Sequence, residues 1–96
     1  MRPSEAFEKN RALVRQVVGR YRLTNPRLFG SVLHGTDTEG SDIDLLVDIL
    51  PGATLADLNE PEETLTALLG VPVHIKTPNE LSKYFRQDVL AEAEPL

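Results

Sequence analysis

The sequence predicts a small α/β (α+β) domain, a mixed β-sheet with helices packed against it in the order α-β-β-α-β-α. Three observations predict it. Three short apolar stretches, two of them of period two, read as strands, and stretches of helical period alternate with them. Ninety-six residues suffice for one hydrophobic core but not for two domains with a cleft between them, so residues 1–96 are read as a single domain. Apolar residues make up 41% and charged residues 26%, the balance of a globular chain rather than a disordered one.

Pro3 and Ser4 open a helical pattern that runs to about Arg22, with Phe7, Val14, Val18 and Tyr21 near one stripe and arginines on the outer surface. Asn25-Pro26 breaks it. Arg27-Leu28-Phe29 is then a short strand entering Gly30-Ser31, and the polar stretch from Thr36 to Ser41 is a loop. The segment SDIDLLVDIL is the clearest strand: Ile43, Leu45, Val47 and Ile49 face one way, Asp42, Asp44, Leu46 and Asp48 the other. Pro51-Gly52 ends it. A short turn from Leu55 leads into a helix ending at Leu69, with Pro61 in its first turn and Gly70 as its stop. Val71, Val73 and Ile75 form a third strand. Thr77-Pro78-Asn79-Glu80 carries a helix-start signature, and Leu81, Tyr84 and Phe85 are the expected buried side of that last helix.

Composition excludes several chemistries. With no cysteine there is no disulfide, no thiol nucleophile and no cysteine-based metal site. No apolar run approaches the roughly 20 residues that cross a bilayer, and the polar N-terminus does not resemble a signal peptide, so no membrane contact is expected and the cytoplasm is the default compartment. The net charge of −5 is uneven. Residues 1–27 carry seven Lys/Arg against two Asp/Glu, whereas residues 28–96 carry three against thirteen. The acidic body argues against direct DNA binding, and its carboxylates suit a divalent metal. The basic first helix is either a solvated face or a contact surface for phosphate, an acidic partner or a second copy of the chain.

Two features carry chemistry. Gly30 lets the backbone turn sharply and approach a ligand, and the amides after it, with the Ser31 hydroxyl, suit a phosphate oxygen. Alone, such a pair is more often a plain turn. Asp42 and Asp44 lie two apart in a strand, on one side and about 6.6 Å from each other along it, where they can share one or two hard divalent cations. Alone, they are more often the solvated face of an alternating strand.

Together, with ten residues between Ser31 and Asp42 and an apolar strand on each side, they are specific. The arrangement NPRLFGS, GTDTEGSDIDLLVD and PGATLADL resembles the nucleotidyltransferase superfamily of DNA polymerase beta, and most closely its minimal nucleotidyltransferase proteins. The resemblance covers nearly all of the chain after the first helix. It implies that Gly30 and Ser31 bind the triphosphate of ATP, and that Asp42 and Asp44 ligate two magnesium (or manganese) ions, one activating the attacking hydroxyl and one steadying pyrophosphate. It also implies a third carboxylate from a later strand, and this chain has His74 at that position. Imidazole is a poor magnesium ligand, so three readings stay open: His74 as a base in a weak enzyme, a nucleotide binder with little turnover, or help from Asp48. The last is disfavoured because Asp48 lies about 13 Å beyond Asp44 along an ideal strand. Where many relatives have arginines at positions 32 and 34, only His34 could face the nucleotide here. Lys76 reads as a solvated strand-edge residue or a phosphate contact.

Ninety-six residues leave little room for a substrate-binding domain, so the acceptor is expected to be presented by another macromolecule. Minimal relatives resembling this chain are typically antitoxins of a HEPN-type ribonuclease toxin, binding it and, in active cases, transferring adenylate to a tyrosine. The resemblance therefore implies transfer of a nucleoside monophosphate from ATP to such a partner. The competing expectation is a non-catalytic module that neutralises its partner by contact. A homo-oligomer is left open.

Overall fold

A computed structural model describes residues 1–96 and shows a four-stranded mixed sheet with helices against it. Helices α1 (Pro3–Lys9) and α2 (Arg11–Gly19) lead into β1 (Leu23–Phe29), a single turn α3 (Ser31–His34) and β2 (Ile43–Ile49). A 3-10 turn at Leu55–Leu58 precedes α4 (Asn59–Leu69), followed by β3 (Val73–Lys76), a 3-10 turn at Pro78–Glu80, α5 (Arg86–Glu92) and the two-residue β4 (Glu94–Pro95). The strand order is β3-β2-β1-β4. Strand β1 runs antiparallel to both β2 and β4, and β3 runs parallel to β2 after the crossover through α4.

The expected single N-terminal helix is two helices. Asn10 sits at φ −124°, ψ 18° and its Nδ2 donates to the Ala6 carbonyl, so its side chain takes a backbone acceptor and breaks the ladder. The apolar stripe survives the break, because Ala6, Phe7, Val14, Val17 and Val18 are all buried in the core. Tyr21, expected in that core, is only partly buried against it.

Strand β1 begins earlier than expected and passes through Asn25-Pro26. Its pairing with β2 slips between Thr24 and Arg27, and Asn25 takes φ 54°, so the proline sits at a bulge. Ile43, Leu45 and Val47 are fully buried in the main core with Leu58, Leu65, Val71, Val73 and Ile75, while Leu46 and Leu81 are buried outside it.

The C-terminal segment departs most from expectation. The capping box at Thr77 and Glu80 forms, yet it starts only a 3-10 turn, which Leu81 ends in an extended conformation. Arg86 donates to the carbonyls of Pro78 and Leu81 at 2.8 and 2.9 Å, taking acceptors that a continuing helix would have used. Tyr84 is 86% exposed and Phe85 49% exposed, so neither is the buried side of a helix.

The outer edge of β3 is closed by side chains. Its outward N–H groups donate in turn to Thr66 Oγ1 (from Val73, 3.0 Å), Glu62 Oε2 (from Ile75, 2.6 Å) and Glu80 Oε1 (from Thr77, 2.8 Å). An unpaired edge invites pairing with another chain, and these acceptors, two of them on α4, occupy it.

Candidate active site

The C-terminal end of β1 and the N-terminal end of β2 bring the predicted residues together. Phe29 pairs with Asp44, so Gly30 follows directly beside that aspartate. Gly30 takes φ 79°, ψ −156°, a region essentially closed to side chains, and a Cβ there would collide with Asp44 Oδ2. The backbone of Gly30 thus packs closely against the Asp44 carboxylate. Ser31 then opens α3, whose first-turn amides have no partners within the helix.

Asp44 pairs in register with His74 on β3, and residues in register on parallel neighbours point to the same face. Asp42 lies two residues earlier on that face. The His74 ring leans toward it, and Nε2 lies 2.9 Å from Asp42 Oδ2 as donor to the carboxylate. Burial pushes the Asp44 carboxyl above the usual carboxylate range, and the negative charge of Asp42 adds to this, while His74 and Lys76 pull it back. Lys76 therefore acts on the site through its charge.

The backbone N–H of His34 donates to the Gly30 carbonyl at 3.2 Å. His34 ends α3 and faces Glu92 of α5, with Nε2 3.0 Å from Oε2. Asp48 gives both carboxylate oxygens to β1, accepting from Arg27 at 3.0 Å and Asn25 at 3.1 Å, and is committed there rather than to the Asp42–Asp44 pair. Sequence reasoning missed Asp37. It is 3% exposed, accepts from the Ser4 backbone N–H at 2.9 Å and pairs with Arg2 at 3.3 Å, so it ties the loop before Asp42 to the start of α1. The Ser4 N–H holds its carboxyl below the ordinary range; burial opposes the shift, and the Arg2 charge assists it. Nothing in a polar loop marks such an acid in advance.

The site is an open face. The largest concavity, about 510 Å³, is lined by Asp48, Ile49, Leu55 and residues 77–80, and by none of Gly30, Ser31, Asp42 and Asp44. Two oxygen-donor carboxylates on one face, the Asp44 carboxylate packed against the Gly30 backbone, fit one hard divalent cation completed by water and phosphate oxygens. They do not form the all-carboxylate triad, and no three acidic or imidazole side chains are gathered into a ligand cluster.

The sequence profile of the nucleotidyltransferase domain matches residues 11–95. The protein adenylyltransferase MntA of Thermococcus cleftensis is 38% identical over 65 residues, covering 68% of this chain and 66% of that one. A solved structure provisionally named a minimal nucleotidyltransferase superposes with a TM-score of 0.84 at 39% identity, over 97% of this chain and 95% of that one. The same fold recurs at 21% identity, TM-score 0.60, over 94% of this chain and 67% of its counterpart, in a complex of an MNT antitoxin with the tri-AMPylated HEPN toxin of Shewanella oneidensis. With its Gly-Ser turn set against the aspartate pair and that profile spanning nearly its whole length, the chain belongs to the nucleotidyltransferase domain family as a domain of the minimal type.

Proposed function

We propose that the protein transfers AMP from ATP to a partner protein of the HEPN toxin type in a metal-dependent reaction, and so acts as its antitoxin. The observation that supports this reading is the seating of Gly30 against Asp44, which sets the Gly30-Ser31 turn beside two carboxylates on one face. The adenylyltransferase name of its relative and the toxin complex sharing its fold support the donor and the partner.

Gly30 admits the triphosphate close to the backbone, and the amides of the first turn of α3 and the Ser31 hydroxyl hold its oxygens. A divalent ion held by Asp42 and Asp44 supplies positive charge where negative charge develops on the phosphates. An acceptor hydroxyl on the partner forms a bond to the α-phosphorus, the bond to the β-phosphate oxygen breaks, and pyrophosphate leaves. The hydroxyl proton passes to water at the exposed side, where Asp42 and His74 are each about half accessible.

The test is incubation with α-labelled ATP, magnesium or manganese, and a candidate HEPN-type partner protein. Label on the partner, lost in Asp42→Asn and Asp44→Asn, is the expected result. The absence of the carboxylate triad favours a second reading, a contact-only antitoxin. No transfer with either ion, together with intact partner binding, would establish that second reading instead.

A further inference from the structure

A cleft borders the site on its β3 flank and gives the acceptor a direction of approach. Phe29, Asp44 and His74 stand in register across β1, β2 and β3, so the Gly30-Ser31 turn and His74 lie on opposite flanks of Asp44. At His74 a concavity of about 410 Å³ opens between β3 and α4, walled by Glu62, Glu63 and Ala67 of α4 and by Pro72, Val73 and His74. His74 belongs to both places, since its Nε2 lies 2.9 Å from Asp42 Oδ2. In phosphoryl transfer the attacking and leaving oxygens lie roughly in line through the phosphorus. A triphosphate anchored at Gly30-Ser31 sends pyrophosphate out toward β1, which leaves the β3 flank and this cleft to the incoming hydroxyl.

The walls restrict how a partner can dock. Strand addition is closed, because the Val73 and Ile75 N–H groups already donate to Thr66 and Glu62. What remains is a trough with a small residue, Ala67, exposed on one wall and Glu63 exposed beside it. Glu62 is engaged by Ile75, whereas Glu63 takes part in none of the ion pairs of the chain, and neither wall carries a lysine or arginine.

We propose that this cleft receives the segment of the partner protein that carries the acceptor hydroxyl, and that this segment is basic, with a Lys or Arg beside the hydroxyl pairing with Glu63. The proposal rests on the reading of the site as a nucleotidyltransferase site. The acceptor oxygen forms its bond to the α-phosphorus, the bond to the β-phosphate oxygen breaks, and the hydroxyl proton leaves to water. The cleft adds position and selectivity to that step: opposite charge across it favours a basic segment and disfavours an acidic one.

The experiment uses the full chain, α-labelled ATP and a candidate HEPN-type partner protein. A photo-crosslinking amino acid replaces Ala67 in one protein and Lys9, on α1, in another, and mass spectrometry reads the partner peptide joined to each. Ala67, Lys9 and Glu63 are exposed, so the variants are expected to fold, and circular dichroism checks that they do. The expected result is a cross-link from position 67, and none from position 9, to the partner segment that also carries the AMP label, with Lys or Arg next to the labelled residue. Glu63→Lys should raise the KM for the partner about tenfold, and Glu63→Gln by less, with AMP-PNP affinity kept. A labelled partner without a cross-link from position 67, a labelled segment that is acidic or lacks a basic residue, or an unchanged KM in Glu63→Lys would overturn the cleft while leaving transfer standing. If the parent binds AMP-PNP but puts no label on the partner, the transfer reading itself fails, and the proposal goes with it.

Discussion

Gly30 and Asp44 are mutually exclusive with any side chain at position 30: a Cβ there would occupy the place of the Asp44 carboxylate. The glycine carries two demands at once, a positive φ and the absence of a Cβ where the Asp44 carboxylate packs. Gly30→Ala is therefore expected to lose nucleotide binding and also to lower stability. The backbone region alone costs about 1–3 kcal/mol for a non-glycine residue, and about 4–8 °C of Tm accompanies each kcal/mol in a domain of this size. Ser31→Ala, which disturbs no backbone, should weaken AMP-PNP binding with the Tm kept. Thermal melts and AMP-PNP titrations of both variants decide it. A Gly30→Ala protein with parental Tm and affinity would refute the steric argument.

The parts of the fold set by period were legible in the sequence. Alternation in β2 named its buried face, and the Gly-Ser and Asp-x-Asp motifs singled out residues that the pairing of β1 with β2 brings side by side. What escaped was decided by side chains acting over distance. Asn10 breaks a helix whose apolar stripe continues unbroken through it, and a bulge lets Pro26 lie within a strand. Arg86 claims carbonyls that would otherwise have carried the Thr77 helix onward, leaving Tyr84 in solvent. Strand β4 has two residues, too few for any pattern. Asp37 and the pairing of His34 with Glu92 depend on tertiary contacts alone.

Asp37 should make stability acid-sensitive. Its carboxyl titrates below the ordinary carboxylate range because the Ser4 N–H stabilises the charged form. A carboxyl lowered in the folded state contributes stability above its unfolded value, and that contribution disappears as the pH falls through the folded value. The parent should therefore lose Tm steeply below about pH 4. Asp37→Asn should melt lower at pH 7 and show a shallower acid limb. Parallel Tm–pH curves for the two proteins would remove Asp37 from this role.

The closed edge of β3 predicts a local effect. Glu62→Ala strands the Ile75 N–H, since the 2.6 Å bond to Glu62 is the partner of that amide on the outer edge. The loss of a charge-assisted bond at a partly buried site is expected to cost on the order of 1–2 kcal/mol. Amide exchange at Ile75 should then quicken about tenfold. Glu62→Gln, which keeps an acceptor, should restore most of the protection. Unchanged Ile75 exchange in Glu62→Ala would show that the edge is protected by something other than this acceptor.

Asp48 separates a structural carboxylate from a site carboxylate on the same strand. Arg27 is only 13% exposed at its side chain, its Nε is buried without a partner, and its Nη2 depends on Asp48 at 3.0 Å. Asp48→Ala leaves that guanidinium charge without its anion, which is more costly than losing an exposed pair. Asp48 itself is 44% accessible at its side chain, so the cost stays near the lower end, about 1–2 kcal/mol. Asp42→Asn breaks only a half-exposed contact with His74, and its effect on metal-free stability should stay below about 1 kcal/mol. Binding should reverse the order: Asp42→Asn loses most of the affinity for metal–AMP-PNP, and Asp48→Ala keeps it. Denaturant melts and calorimetry on the same two proteins measure both halves. If Asp48→Ala weakens nucleotide binding as far as Asp42→Asn does, then Asp48 belongs to the site and its pairing with Arg27 is not its only role.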